Sequence, residues 1–338
     1  MRLGLCTLGG GFQRDARSTS MKLALFNEFI PGAIKENEIV DITKPVSALA
    51  KCGPQYLMEG LMTNWATYRP LLEDYVSRTK GRPVSEVRLR APLPRPSKIL
   101  CAAANYKEGI EGNISDLEFF HKSPSAIIGD GDTMILPKVE VTIVHHELEL
   151  GVVIGKTCKD VSESEALDYV FGYTIVQDGS ARGILSNGQM SFFTQKNWDT
   201  FAPLGPLVVT KDEVRDPHDL QVRLWANGEL RQDYHTSDMA HRIPALIHKA
   251  SMFNTFFPGD IIATGCNRQG LGPMQHGDTI VQEITGLGRL TTLVEDPLKR
   301  SWPYGVDAEF ADFVKKPRTQ RGALGPPRIV PANSRLPT

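Results

Sequence analysis

From residue 98 to residue 294 the chain repeats one pattern, in which short apolar runs are separated by glycine, proline and aspartate. Runs such as ILCAA, VTIV, LELGVVIG, YTIVQ and DIIATG carry many branched side chains. Apolar runs of this kind, bounded by turn residues, are typical of β-strands. Helical periodicity stands out in two places, from Ser162 to Val170 and from Ile243 to Phe253. We therefore predict a mostly β fold with α+β elements, in which long irregular loops join the strands.

The segment before this region has a different character. A strand begins at Met21, a turn is predicted at Pro31-Gly32, and a second strand ends at Ile42. Apolar residues at helical spacing from Leu61 to Val76 predict one amphipathic helix, and a proline cluster follows as a linker. We divide the chain into an N-terminal extension (1–20), a small α+β domain (21–95), a large β-rich domain (96–296) and a basic, proline-rich tail (297–338) that drapes over the core or is disordered.

Composition excludes several classes of protein. The chain has 338 residues and a formal net charge of -1, which gives no electrostatic reason to expect nucleic acid or an anionic membrane as a partner. No apolar run reaches the length of about 18 residues that a transmembrane helix needs. The five cysteines lack zinc-site spacing, so we interpret them as buried reduced thiols of a cytoplasmic protein.

The run His145-His146-Glu147-Leu148-Glu149 contains the first candidate for chemistry. Side chains alternate faces along a strand, so Glu147 and Glu149 lie on one face. Two carboxylates there are tolerated if they are solvated, or if a cation lies between them. An all-oxygen pair suits Mg²⁺, Mn²⁺ or Ca²⁺ rather than zinc. Both interpretations, a metal site and a solvated outer face of a sheet, stay open at this point.

A third carboxylate follows the next apolar run. Asp178 ends the strand YTIVQ and precedes a glycine, a position where aspartate is often only a turn former. Together with Glu147 and Glu149 it would complete a three-carboxylate site, with positions left open for water and a chelating substrate.

The order and spacing of several runs resemble the catalytic domain of the fumarylacetoacetate hydrolase superfamily. The resemblance covers Lys98 to Val294, and HHELELGVV is similar to the acylpyruvase and oxaloacetate decarboxylase branch. The segment from Met21 resembles the small N-terminal domain of the same superfamily. The resemblance implies a rolled, mixed β-sheet and a homodimer. The runs that carry it are HHELELGVVIGK, GYTIVQDGSAR, QKNWDTFAPLGPLVV, NGELRQ, PGDIIATG and GDTIVQEITGLGRL.

The resemblance also implies roles for individual residues. It makes Glu147, Glu149 and Asp178 ligands of Mg²⁺, or of Mn²⁺, with Ca²⁺ as a further option. Lys196 matches a lysine that faces metal and substrate, where it can stabilise an enolate or oxyanion. The substrate carboxylate would be bound by the turn at Thr264 and Gly265. Arg182 is a candidate for a bidentate carboxylate contact or for a structural ion pair, and Tyr106 and Gln232 are candidate cleft residues.

The match breaks at the residues that activate water. Hydrolase and decarboxylase members carry a His–Glu dyad in the pattern Asn-Tyr-x-x-His-x-x-Glu, and here Gly109 and Gly112 occupy the two dyad positions. Glu108 and Glu111, one residue earlier, are candidate replacements as base or else solvated loop acids. His121 is a further candidate. After Gly265 the usual Thr-Pro is replaced by Cys-Asn-Arg, and glycine stands where an aspartate commonly follows Ser-Ala-Arg, so the substrate is not carried over.

These residues lead to one function and two alternatives. We predict a divalent-metal-dependent hydrolase that cleaves a C–C bond in a small diketo or 2-oxo acid, of acylpyruvate or fumarylacetoacetate type. The first alternative is a metal-dependent lyase, such as a 2-oxo acid decarboxylase or dehydratase, or an isomerase on the same scaffold, because these reactions need no activated water. The second is a catalytically degenerate ligand-binding protein. The expected partner is a small oxo-acid, with no nucleic acid and no membrane.

Overall fold

The computed structural model describes residues 21–49, 53–110, 114, 116–186 and 189–316. Most of the regular structure is β, as the sequence predicts. The strands are β1 (Lys22–Phe26), β2 (Ile30–Lys35), β3 (Glu38–Asp41), β4 (Arg82–Pro83), β5 (Leu89–Arg90), β6 (Ile99–Ala103), β7 (Glu118–Lys122), β8 (Ile127–Ile128), β9 (Thr133–Ile135), β10 (Ile143–His145), β11 (Leu148–Ile154), β12 (Val170–Gln177), β13 (Ser180–Arg182), β14 (Leu185–Ser186), β15 (Gln189–Met190), β16 (Ala202–Thr210), β17 (Gln221–Ala226), β18 (Glu229–His235), β19 (Ile261–Ala263), β20 (Thr279–Ile284) and β21 (Gly288–Glu295).

The α-helices are fewer and short. The helix predicted from Ile243 to Phe253 is confirmed as α4, whereas the single helix predicted from Leu61 to Val76 is wrong. Two helices meet at Asn64, because its backbone N–H and its side-chain amide both donate to the Gly60 carbonyl and end the first helix. The described helices are α1 (Pro54–Thr63), α2 (Trp65–Arg78), α3 (Phe192–Lys196), α4 (Ile243–Phe253) and α5 (Ala308–Lys315).

Two further local predictions need correction. The predicted helix from Ser162 to Val170 is a turn followed by a short 3₁₀ helix, Ala166–Tyr169, because Val170 already belongs to the buried strand β12. The predicted turn at Pro31-Gly32 lies within β2. Asn27 and Phe29 make the turn between β1 and β2 instead, both with positive φ.

One large sheet runs through most of the described chain. Its main path is β4-β3-β2-β1-β16-β12-β11-β19-β6-β7. The strands β1 and β16 pair antiparallel, with Lys22 opposite Val209, so the N-terminal strands extend the sheet formed by the later part of the chain. This pairing crosses the predicted boundary at residues 95–96, and the division into domains stays a prediction.

A second sheet, in the order β18-β17-β20-β21-β9, packs against the first. Val152 of β11, Leu224 of β17 and Ile280 of β20 are all fully buried in one hydrophobic cluster between the sheets. Burial of this apolar area is the main favourable term for the fold. It also makes β11 and β12 rigid supports, since both strands are buried along their whole length.

The first part of the predicted tail is ordered against the core. Arg300 is buried and binds Asp296 through two hydrogen bonds of 2.9 and 3.0 Å. The indole N–H of Trp302 donates to the Thr142 carbonyl at 2.6 Å, and Asp307 caps helix α5. The chain therefore drapes over the core as far as Lys316. Residues 1–20 and 317–338 lie outside the described residues.

Candidate active site

The three predicted ligands meet where β11 begins and β12 ends. These strands pair antiparallel with Glu149 opposite Val176, and the N–H of Asp178 donates to the carbonyl of Glu147 at 2.8 Å. All three carboxylates, here called the acid trio, are buried. The alternative of a solvated sheet face for Glu147 and Glu149 is therefore wrong, and Asp178 is more than a turn former.

Two predicted cations contact the acid trio. The ammonium of Lys196, at the end of α3, lies 3.1 Å from Glu147 Oε2 and also forms an ion pair with Asp178. Arg182 Nη2 pairs with Glu147 Oε1. In this structure the contact of Arg182 is thus an ion pair within the site, one of the two roles considered for it.

Burial and these charges set the protonation of the site. Burial alone would raise the pKa of Glu147, but the Lys196 and Arg182 cations lower it to about 2. For Lys196, burial alone would lower the pKa, yet Asp178 and Glu147 raise it above the usual range. Lys196 is therefore a charged donor rather than a neutral base.

Lys122, at the end of β7, is a site residue that the sequence reasoning missed. Its side chain is fully buried and donates to Asp178 Oδ1 at 2.7 Å, to the Gly179 carbonyl at 3.3 Å and to the Lys196 carbonyl. It therefore fixes Asp178 and the end of α3 together. The only signal in the sequence was a lysine at the end of an alternating run, EFFHK, which is common at a solvated strand end.

The predicted substrate-binding turn lies beside Glu149. The N–H of Gly265 donates to Glu149 Oε2 at 2.8 Å, and Gly265 has φ of +81°, which favours glycine. Thr264 is fully buried and its N–H donates to the Leu150 carbonyl at 3.0 Å. Tyr106 is buried close by, with its hydroxyl facing Thr264. Their roles toward a substrate stay predictions.

Gln232 supports β11, the strand that contains Glu149. Its Oε1 accepts from the N–H of Leu148 at 3.1 Å, and its Nε2 donates to the Asn267 carbonyl at 3.1 Å. Gln232 is not among the residues that line the cavity beside the acid trio. In this position it orients β11 and the loop after Gly265.

Neither of the two candidate bases that the structure describes contacts the acid trio. Glu108 is buried, and its Oε1 accepts from Arg268 Nε at 2.6 Å. His121 is exposed on β7 and lines a separate groove beside Phe253. Glu111, like Gly112, lies outside the described residues, so its predicted role stays a prediction.

A small cavity of about 90 Å³ opens onto the acid trio. Phe120 and Phe192 form one wall and stack with ring centroids 4.6 Å apart. Phe310 of α5 forms another wall, with the Arg182 guanidinium 5.4 Å from its ring centroid. Sequence reasoning missed Phe310, because nothing in its local pattern places the tail at the cavity. The remaining lining residues include Ala102, Ala103, Ala104, Lys196, Gly265, Cys266 and Arg268.

The acid trio fits a divalent cation. Within the described parts of the chain, Glu149 makes no ion pair, and burial together with Asp178 raises its pKa well above the usual range. A divalent ion beside Glu149 would relieve this cost. Ligand atoms of Glu147, Glu149 and Cys266 all lie within 4.8 Å of one another. Asp178 would bind the same ion by giving up its ion pair with Lys196.

Comparisons with known proteins agree with this fold. The family profile described as "Fumarylacetoacetate (FAA) hydrolase C-terminal" matches residues 98–295. A maleylpyruvate hydrolase of Aquipseudomonas alcaligenes is 32% identical over 293 residues, which are 81% of this chain and 99% of that protein. An oxaloacetate tautomerase of Bacillus subtilis is 40% identical over 224 residues, 62% of this chain and 74% of that protein.

A solved structure extends the likeness to the fold. The crystal structure of maleylpyruvate hydrolase from Sphingobium sp. SYK-6, in complex with manganese (II) ion and pyruvate, gives a TM-score of 0.73 at 36% identity and covers 82% of this chain and 99% of that chain. The protein is thus an enzyme of mostly β fold with a buried acidic site. It belongs to the fumarylacetoacetate hydrolase family, as its motifs predicted. Among the described residues, no helix is long and apolar enough to cross a membrane.

Proposed function

We propose that this protein is a divalent-metal-dependent hydrolase that cleaves a C–C bond in a small diketo acid of the acylpyruvate type. The observation that carries the proposal is the acid trio, which is buried beside a small cavity with the Lys196 ammonium against Glu147 and Asp178. Three oxygen ligands leave room on Mg²⁺ or Mn²⁺ for a chelating oxo-acid. Glu147, Glu149 and Asp178 would hold the ion.

In the proposed reaction the bond between C3 and C4 of the diketo acid breaks. The C4 acyl carbon gains the hydroxyl of a water molecule and leaves as a carboxylic acid, while C3 takes up a proton and becomes the methyl group of pyruvate. When bound, the ion supplies Lewis acidity toward the 2-oxo oxygen. Lys196 places its positive charge where negative charge develops on the substrate, and Phe120, Phe192 and Phe310 limit the access of bulk water.

The relatives support this reaction class. The maleylpyruvate hydrolase relative matches nearly its whole length to this chain, including part of the region before residue 98. The solved maleylpyruvate hydrolase structure contains manganese and pyruvate, and pyruvate is the product expected here. Mg²⁺ as the physiological ion, a homodimer and a cytoplasmic location stay predictions.

A second candidate is tautomerisation or isomerisation of the same kind of acid. It is favoured by Gly109 at the dyad position and by Glu108, whose carboxylate is buried against Arg268. Neither residue offers the cavity a base for activating water. Tautomerisation needs only proton transfer and stabilisation of the enolate, so the acid trio and Lys196 would suffice.

The test measures products and metal binding together. An acylpyruvate, a maleylpyruvate-type diketo acid and oxaloacetate are each incubated with protein plus Mn²⁺, Mg²⁺ or EDTA. Pyruvate is measured with lactate dehydrogenase, enol absorbance by ultraviolet spectroscopy, and CO₂ directly. Hydrolysis predicts metal-dependent pyruvate from a diketo acid, whereas tautomerisation predicts loss of enol absorbance without pyruvate.

A pair of variants tests the site itself. Glu149→Ala should abolish Mn²⁺ binding, measured by calorimetry, and turnover, with the melting temperature largely kept. Glu283→Ala, on the exposed side of β20, is the matched control and should change neither. Turnover that survives Glu149→Ala would refute the metal site. Metal binding by the wild type without turnover of any substrate would favour the degenerate binding protein.

A further inference from the structure

One cation in the cavity is not used by the acid trio. Arg268 follows Gly265, Cys266 and Asn267 in the loop after β19, where the family pattern usually has Thr-Pro, and its side chain lines the cavity. It forms no ion pair with the acid trio, whereas Lys196 and Arg182 both do. Neither the proposed hydrolysis nor the alternative gives Arg268 a task.

Arg268 is held at one edge only. Its Nε donates to Glu108 Oε1 at 2.6 Å, and the Glu108 side chain is fully buried. The loop around it is braced by Asp238, which accepts from the N–H of Glu108 at 2.9 Å and from Asn267 Nδ2 at 3.1 Å. Within the described ranges, the two Nη groups of Arg268 have no hydrogen-bond partner. An anchored guanidinium with open donors is preorganised for a planar anion.

The surroundings of Arg268 fit the carbon chain of a small acid. Ala102, Ala103 and Ala104 bring no charged side chain to the same cavity, and Phe120 and Phe192 add an apolar wall. A charged group of the substrate would therefore find one guanidinium that binds Glu108 through Nε and keeps its Nη donors open. A charged group that is buried without a partner is destabilised, and the guanidinium of Arg268 offers a partner to an anion. The position therefore selects for a carboxylate.

We propose that Arg268 binds the distal carboxylate of a dicarboxylic 2-oxo acid, and that Glu108 is a positioning residue for Arg268. The inference rests on the proposed function, since it places the 2-oxo acid end of the same substrate at the acid trio. It narrows the substrate class from acylpyruvates in general to diacids. It also removes Glu108 from the candidates for the general base.

Binding of two matched probes tests the proposal without turnover. 2-Oxopimelate and 2-oxoheptanoate have the same chain length and differ in the distal carboxylate. Calorimetry with the Mn²⁺-loaded protein should show that the diacid binds at least about tenfold more tightly. Arg268→Met should weaken the diacid about 10- to 100-fold, the loss of one to two charge-assisted contacts, and leave the monoacid within about threefold. Equal effects on both probes would overturn the proposal.

Further variants separate the effect on recognition from the effect on folding. Arg268→Met leaves the Glu108 carboxylate buried without its partner, so the double variant Glu108→Gln/Arg268→Met is measured as well and should show the same loss of diacid preference with better stability. Arg268→Lys should recover part of the preference. Arg289→Met, an exposed arginine paired with Glu283, is the matched control and should change neither probe.

Glu108→Gln distinguishes a positioning residue from a base. Its amide oxygen can still accept from Arg268, so kcat should stay within about threefold and KM for the diacid should rise. A general base would lose about 10²- to 10⁴-fold in kcat for diacids and monoacids alike. If the wild type turns over no substrate but retains its diacid preference, the proposed reaction fails while this inference stands. If it turns over both acid classes equally well, this inference fails while the reaction stands.

Discussion

Replacing Arg300 with methionine should destabilise the protein strongly, although the residue lies outside the matched family region. Arg300 and Asp296 are both fully buried and share two hydrogen bonds of 2.9 and 3.0 Å. The guanidinium also donates to the carbonyls of Val139 at 2.8 Å and Pro137 at 2.9 Å. Methionine keeps most of the apolar stem and removes all four contacts.

The magnitude follows from the charge that is left behind. Breaking a buried ion pair by removing one partner costs about 3–5 kcal/mol. Asp296 would still accept from the backbone N–H groups of Leu298 and Arg300, at 3.0 and 2.8 Å, which favours the lower end of that range. With an unfolding entropy of about 2.1 cal/mol/K per residue, 3 kcal/mol corresponds to roughly 4 °C in Tm for this chain.

The assay is thermal unfolding followed by circular dichroism, with Mn²⁺ affinity measured in parallel. Tm should fall while Mn²⁺ affinity stays unchanged, because the proposed ligands lie at the start of β11 and directly after β12 rather than in the C-terminal segment. Arg289→Met, which breaks only an exposed pair, should shift Tm by less than about 1 °C. The double variant Asp296→Leu/Arg300→Met removes both charges and should recover most of the loss. The reasoning is refuted if the single variant melts within about 1 °C of the wild type.

Two further substitutions address the site. Gly265→Ala places a methyl group 3.0 Å from the Ala102 carbonyl oxygen at φ +81°, so it should lower the free energy of unfolding by about 1–3 kcal/mol and weaken Mn²⁺ binding by disturbing Glu149. The control Gly228→Ala, at φ +82° in open space, should lower stability without changing Mn²⁺ binding. Calorimetry that finds the same Mn²⁺ affinity for both variants would contradict this prediction. Phe310→Ala removes a cavity wall and should lower kcat/KM about tenfold at unchanged Mn²⁺ affinity, with Phe313→Ala as the control. A parallel loss of Mn²⁺ affinity would show instead that α5 helps to position the acid trio.

Local pattern made the acid trio a candidate because all three residues lie at the start of β11 or directly after β12, two strands that are neighbours. Alternation placed Glu147 and Glu149 on one face, and the end of an apolar run located Asp178. The antiparallel pairing of β11 with β12 then brings the start of one strand to the end of the next. Burial, which excludes a solvated face for Glu147 and Glu149, could not be predicted, since it depends on strands from elsewhere in the chain.

The contacts that sequence reasoning missed join residues far apart in the chain. Lys122 reaches Asp178 from β7, an edge strand of the large sheet, and Arg268, in the loop after β19, reaches Glu108. Phe310 reaches the cavity only because Arg300 and Trp302 fix the path of the tail. No periodicity marks such pairs, because each depends on the tertiary register rather than on local propensity.

Charge balance connects the acid trio with the proposed diacid. With every group ionised, the three carboxylates are matched by three buried or nearly buried cations, Lys122, Lys196 and Arg182. Arg268 and Glu108 balance each other and add nothing. A divalent ion therefore leaves an excess of two positive charges at a buried site, where uncompensated charge is costly. A monocarboxylate neutralises half of that excess and a dicarboxylate all of it, so the electrostatics of the ligand site and the open edge of Arg268 favour the same class of substrate.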